Sequence, residues 1–413
     1  MKRSVIVLGA GMVGVGSALH LLERGHDVLL LDRRPPGRET SYGNAGLIQR
    51  EAVEPYPLPR EAGELFQHAF GLSAAVSYHW RAMPMLIPRL AAYWCASSPK
   101  RYARIAREWS TLIAHATSEH ADWISRAGAQ DLVKHTGFRL GFRHAASYAK
   151  GLEKARHFHD TYGVQFQTLD ADALSAAEPA LTRRFVGSVH WTDPWAVNDP
   201  GALVARYAEM FVREGGRLTT GEASTLKQTA SGWQVITADG PQEASDVVVA
   251  LGPWADDLIR PLGYHLPLFV KRGYHRHYRV DRQLTMPLLC ADDGVMLAPM
   301  AAGLRITTGA ELALRDAPPS PVQLAKAEKI AARTLALGAP VEPEPWLGAR
   351  PCTTDMKPVI GTAARHRGLW FNFGHAHQGF TLGPASGRLL ADLFEESTPF
   401  IDPAPFSPGR FGA

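Results

Sequence analysis

At 413 residues the chain exceeds the size at which a single hydrophobic core usually stops growing, so two domains are expected. Hydrophobic residues at 46% and charged residues at 20% are ordinary for a soluble globular protein. The formal charge of +4 comes without a basic run interleaved with aromatics, which argues against a nucleic-acid binder. Cys95, Cys290 and Cys352 are too scattered for a disulfide framework or a zinc cage and suit a reducing compartment. No apolar run reaches the roughly 18 residues that would predict a membrane-spanning helix.

The opening, MKRSVIVLGAGMVGVGSALHLL, mimics a secretory signal, but a nucleotide motif accounts for it better. Residues 4–8 read as a strand buried on both faces. Gly9, Gly11 and Gly14 then give G-x-G-x-x-G, and Met12, Val15, Leu19 and Leu22 carry a helical period closed by Gly25. A second apolar run, Val28 to Leu31, ends at Asp32. Gly9 permits the tight turn, Gly11 lets the backbone approach a pyrophosphate, and Gly14 lets helix and strand pack closely. The helix N-terminus offers N–H groups to phosphates, and Asp32 stands where an acid binds ribose hydroxyls. This order predicts a dinucleotide site without separating NAD from FAD. The polar loop ETSYGNAGLIQ (39–49) suits close passage along an extended cofactor, where an NAD-type fold would place a helix.

Further along, HWRAMPMLIPRLAAYWCASSPKRYARIAR (79–107) is amphipathic, with tryptophans beside basic residues, and suits either a helix packed on a domain or one lying on an anionic membrane. Residues 60–185 read as helical segments followed by GFRLGFRHAASYAK. NDPGALVARYAEMFVREGGRL (198–218) is an amphipathic helix opened by Asp199 and Pro200. DVVVALGPWADDL is a buried strand turning at Gly252 into a short helix, at the strand end where open α/β sheets bind ligands. Residues 265–315 read as strands. Alternation there puts Tyr274, Arg276 and Tyr278 on one face, with His275 and His277 on the other, a pair expected on a solvated face unless it lines a site.

Near the C-terminus, Arg350 in GARPC is biased towards an extended conformation by Pro351. In NFGHAHQGFTLGPASGRLLADL, His375 and His377 stand one residue apart in a glycine-framed turn. A metal there would need further ligands, and none is apparent; an acid/base pair or the seat of a cofactor remains. The helix at 381–394 is expected to carry Pro384 in its first turn.

Four blocks together resemble the FAD-dependent D-amino-acid oxidase family, most of all its bacterial D-amino-acid dehydrogenases. They are VIVLGAGMVGVGSALHLLERGHDVLLLDRR, SYGNAGLI, VVVALGPWADDL, and GARPCTTDMKPVIG followed by the histidine turn. The resemblance implies an α/β protein (α+β overall) with a Rossmann-like FAD-binding domain from residues 1–60, 186–262 and 345–413. A discontinuous substrate domain on a mixed β-sheet would come from 61–185 and 263–344. It implies non-covalent FAD held by Gly9, Gly11, Met12, Val13, Gly14, Asp32 and Arg33, by Ser41, Asn44, Ala45, Gly46 and Leu47, and by Ala223, Gly252 and Trp254. Gly374, His375, His377, Gln378, Gly379, Phe380 and Thr381 would seat the flavin. Cys352 does not fall where sarcosine oxidases of this superfamily attach flavin.

The implied activity is oxidative deamination of a D-amino acid to the 2-oxo acid and ammonia. Arg350 would grip the substrate carboxylate, because a planar guanidinium gives two parallel charge-assisted bonds. Tyr274 and His377 would stand beside it, with Tyr56, His275 and His277 as further lining. Electrons would pass to a quinone or another respiratory-chain acceptor, from the cytoplasm or the cytoplasmic face of the inner membrane. Ala376 and the polar His377–Gln378 depart from the dehydrogenases' G-H-G-x-x-G form, which keeps a cyclic or N-alkyl amino acid (D-proline, hydroxyproline, sarcosine) or glycine as an alternative. A nicotinamide-dependent dehydrogenase and a non-catalytic flavoprotein subunit complete the competing readings.

Overall fold

The structure, a computed structural model, describes residues 1–60 and 76–412. Hydrophobic runs without alternation become the strands of a sheet buried on both faces. Across that sheet the order is Gly240–Ala244, Trp233–Thr237, Arg217–Gln228, Asp27–Asp32, Ser4–Leu8, Asp246–Val249, Leu369–Phe373 and Val359–Thr362. The central pairings are parallel: Ser4–Leu8 runs beside Asp27–Asp32 and Asp246–Val249, with Val7 level with Leu30 and Val248. The Met12–Glu23 helix crosses between the first two strands and ends at Arg24, with Gly25 at φ +86°. Asp199 caps the Pro200–Arg213 helix by accepting from the Ala202 amide at 2.9 Å, as its sequence predicts.

A second, mixed sheet runs Val76–Tyr78, Ala310–Leu312, Leu268–Tyr278, Gly303–Thr307, Val295–Met300, Leu288–Cys290, Phe138–Phe142, Gly187–Trp191 and Phe166–Asp170. Trp346–Thr353 joins it by pairing antiparallel with Leu268–Tyr278. Two of these strands cross the boundaries expected from sequence. Gly187–Trp191 and Trp346–Thr353 were assigned to the cofactor half, yet both are strands of the mixed sheet. A buried run shows that a strand exists but does not name its partner.

The amphipathic 79–107 stretch divides into Met83–Ala96 and Pro99–Ile113. The second helix buries Ile105, Trp109, Leu112 and Ile113 against the body, whereas the first leaves Met85 and Ile87 exposed. Among the described residues, no helix is long and apolar enough to cross a membrane.

The Gly379–Phe394 helix starts earlier than predicted, so Pro384 lies inside it and not in its first turn. Proline has no N–H, which leaves the Phe380 carbonyl without its intrahelical donor. Buried His120 fills that gap: its Nε2 lies 3.3 Å from the Phe380 carbonyl and 3.2 Å from that of Thr381. Tyr207 donates to its Nδ1 at 3.0 Å, and burial lowers the imidazole to about 4, so one proton on Nε2 satisfies every partner. Replacing His120 with Leu strands the buried Phe380 carbonyl and takes from the Tyr207 hydroxyl its ring partner. A loss of roughly 1–3 kcal/mol or more is expected in urea unfolding; unchanged stability would refute the capping role.

Candidate functional site

The glycine turn is shaped by contact with its own fold. Gly9 stands at φ +104°, and a Cβ on Gly14 would run into the Gly9 carbonyl. No side chain of Gly11 caps the helix that follows, and Ser41 Oγ accepts the Met12 amide at 3.0 Å. Asp32 accepts from the Ala10 amide at 2.7 Å and the Arg34 amide at 3.1 Å, which fixes its carboxylate at the strand end. Asn44 folds the loop by accepting from the Gly46 and Leu47 amides at 2.8 and 3.0 Å.

These features open on a cavity of about 1010 Å³. Gly9, Gly11, Met12, Val13, Asp32, Arg33, Ser41, Asn44, Ala45 and Leu47 line it, with Ala223, Gly252 and Trp254. The Arg33 guanidinium stacks 4.5 Å from the Trp254 ring. Gly374, His375, His377, Gly379 and Phe380 line the same cavity, as do Arg350, Tyr274 and Tyr56.

Other expected residues stand behind the lining. Gly14 packs under the turn, and a Cβ on Gly46 would strike the Val197 carbonyl. Thr381 accepts the Gln49 amide and donates to the Leu47 carbonyl, each at 3.3 Å, stitching the C-terminal helix to the loop. Gln378 is buried and donates to Gln49 at 2.9 Å, whose own amide donates to Glu51 at 2.7 Å.

The structure corrects the histidine strand. His275 and His277 are neither lining nor solvated: both are buried. His275 stacks on Trp346, and His277 accepts from Arg305 at 2.9 Å while facing Glu342. Arg305 in turn donates to the Tyr42 carbonyl at 2.9 Å and to that of Asn44, so this cluster clamps the cofactor loop onto the mixed sheet. Tyr274 lines the cavity with its ring, but its hydroxyl accepts the Ser320 amide at 2.6 Å and lies 3.3 Å from buried Glu311. It has no free hydroxyl for a substrate.

Arg350 lies over Gly273, where a Cβ would collide with its guanidinium. It donates to the carbonyls of Gly309 at 2.9 Å and Thr308 at 3.3 Å and has no carboxylate partner among the described residues. Burial lowers its pKa. His377 is held at about 3 by burial and then by the Arg350 and Lys271 charges, so it stays neutral. His375 is likewise held at about 3 by burial, and its Nε2 has no partner among the described residues.

Sequence reasoning missed Lys271, which lies directly across from Arg350 and also lines the cavity. Its signal was a cation in the strand run LFVKRGY that alternation puts on the same face as Gly273, opposite to its neighbour Arg272.

A cavity of this size, with a helix N-terminus and a glycine cradle on its lining, fits a dinucleotide. The match to known proteins names which. The FAD dependent oxidoreductase (DAO) family model covers residues 4–393. The chain belongs to this family. It is 31% identical to a D-amino-acid oxidase of Bradyrhizobium diazoefficiens over 99% of both chains. It is 30% identical to a D-amino acid dehydrogenase of Chromohalobacter salexigens over 99% of this chain and 100% of the other. The fold matches glycine oxidase of Geobacillus kaustophilus at a TM-score of 0.73 and 22% identity, covering 98% of each chain. The protein is therefore an FAD-binding oxidoreductase, which removes the nicotinamide alternative.

Glu51 supplies a pH test of this region. Burial raises it from 4.5 to about 7, against the opposing bond from Gln49. A raised carboxyl contributes stability that is complete below its unfolded pKa and is lost as pH rises through about 7. Glu51→Gln removes this loss and should gain roughly 3 kcal/mol over the native protein at pH 8, with little difference at pH 4. Denaturant titrations at both pH values check it; parallel pH profiles would contradict it.

Proposed function

We propose that the protein oxidises an amino acid at the carbon bearing the amine, as a D-amino acid dehydrogenase yielding the 2-oxo acid and ammonia. The observation that carries this reading is Arg350, a partly buried guanidinium without an acidic partner among the described residues, on the same cavity as the glycine turn. The names of the two curated relatives point the same way.

In this reading Gly9 to Val13, Asp32 and Arg33 hold the adenosine and pyrophosphate of non-covalent FAD, and the turn from Gly374 to Phe380 seats its ring. FAD, when bound, supplies the two-electron acceptor. The Gly379–Phe394 helix directs its N-terminus towards the cavity, where a partial positive charge favours anions. Arg350 binds the substrate carboxylate and so orients the carbon–hydrogen bond. Leu312, Met296 and Phe269 exclude water around it. Neutral His377 serves as a hydrogen-bonding wall, with the Tyr56 ring 4.9 Å away, and no base is assigned.

Electrons leave to a quinone at the cytoplasmic membrane surface. Support for that location comes from the exposed face around the Met83–Ala96 helix. Trp80 is 71% exposed, Met85 59% and Ile87 55%, beside Arg81 and Arg89. Apolar and basic groups together suit an anionic interface.

Arg350→Ala should raise KM for the amino acid roughly 10- to 100-fold, the equivalent of losing a charged hydrogen bond, with Arg350→Lys recovering part of it. The reading as a whole is tested by anaerobic bleaching of the flavin across D-, L- and cyclic amino acids, then reoxidation by oxygen or a quinone. Bleaching by D-amino acids and rapid reoxidation by quinone are expected. No bleaching by any amino acid would overturn it.

A further inference from the structure

The cavity carries one cation more than a simple amino acid needs. Lys271 and Arg350 are exact cross-strand partners in the antiparallel pair Leu268–Tyr278 and Trp346–Thr353. Directly opposed residues of such a pair project to the same face, and like charges so placed repel. Both line the cavity. Neither has a carboxylate partner among the described residues. Lys271 donates to the Tyr93 hydroxyl at 3.0 Å, and that hydroxyl is spent on the Tyr56 carbonyl. An ammonium has three N–H donors, so two remain open among the described residues. The neighbouring groups do not neutralise the pair: His377 and the buried Cys352 thiol are uncharged beside it.

The two heads also point apart. Arg350 folds over Gly273 towards the Thr308 and Gly309 carbonyls, whereas Lys271 reaches the other way, its Nζ 4.3 Å from the Tyr93 ring and 5.7 Å from that of Phe269. Phe269 and Gly273 are four positions apart on the strand, roughly 13 Å, so the heads lean towards opposite ends of this stretch. Diverging heads do not share one carboxylate well. They suit two anionic groups a few bonds apart on one molecule.

We propose that Lys271 is a specificity residue that binds a second carboxylate, so that the preferred substrates are acidic amino acids. The inference rests on the reading that Arg350 holds the α-carboxylate. Tyr56, Tyr93 and Phe269 would flank the methylene carbons between the two carboxylates. No change in the redox step is implied; Lys271 selects which molecule presents its amine.

Two measurements on the flavin-loaded enzyme separate this proposal from the reading beneath it. The first compares flavin reduction by glutamate against glutamine and by aspartate against asparagine, in both enantiomers. In the native protein the acidic member should be favoured by roughly tenfold or more in kcat/KM, and Lys271→Met should cut that ratio by a similar factor. A ratio near one, or one that survives the substitution, overturns the proposal. The second uses non-reactive probes: glutarate and butyrate are titrated against the flavin spectrum. Glutarate should bind roughly tenfold tighter, with the advantage lost in Lys271→Met and retained in Lys271→Arg. Equal binding of the two acids overturns the proposal even if no amino acid proves to be a substrate. Glutarate discrimination without amino-acid oxidation would sustain the second anion site and reject the proposed reaction. Flavin content and melting temperature of each variant confirm that it is folded.

Discussion

Backbone contact between two helices sets the geometry on which the site depends. A Cβ on Gly16 would meet the Gly383 carbonyl, one on Gly387 would meet the backbone of Gly16, and one on Gly383 would meet Met12. No side chain fits in that seam. The contacts advance in the same direction along both chains, so the Met12–Glu23 and Gly379–Phe394 helices run alongside with their N-termini on one side. Met12 and Val13 from one helix, and Gly379 and Phe380 from the other, reach the same cavity. Two positive helix ends thus open on one cavity, an arrangement that suits an anionic cofactor and needs glycine at the crossing.

Close approach has a cost that the rest of the structure offsets. Pro384 sits in the seam and breaks the hydrogen-bond ladder of the second helix, and His120 and Tyr207 close the gap from outside. On the other side, Arg305, His277 and Glu342 fasten the 42–44 loop to the mixed sheet. The two sheets are joined through Trp346–Thr353, which belongs to the second sheet, and Val359–Thr362, which belongs to the first. Arg350 lies on the first of these strands. Two residues further on, Cys352 bridges to His375, so the strand that carries Arg350 is tied directly to the glycine-framed turn.

The dinucleotide half was legible in the sequence because its chemistry is local. A strand, a glycine turn, a helix and an acid follow one another within Ser4 to Asp32, and each residue type has a steric or electrostatic reason to be there. That Arg350 and the histidine turn share one cavity was legible through resemblance to a family with several motifs. What sequence did not reveal depends on pairing across long separations. The buried stack of His275 on Trp346, the membership of Gly187–Trp191 in the mixed sheet, and the opposition of Lys271 to Arg350 all arise from register, which periodicity alone does not encode. The helix start at Gly379 was missed because proline is most at home in a first turn, and here an external histidine makes an interior position tolerable.

The central claim is that one cavity holds FAD along the two glycine-rich helix ends and an amino acid between the flavin and Arg350. A crystal structure of the flavin-loaded protein with a non-reactive carboxylic acid bound tests it most directly. The account predicts the pyrophosphate at the Gly9–Val13 turn, the ring against Gly374–Gly379, and the ligand carboxylate within hydrogen-bonding distance of the Arg350 guanidinium. A carboxylate bound away from Arg350, or a flavin ring lying outside this cavity, would contradict it.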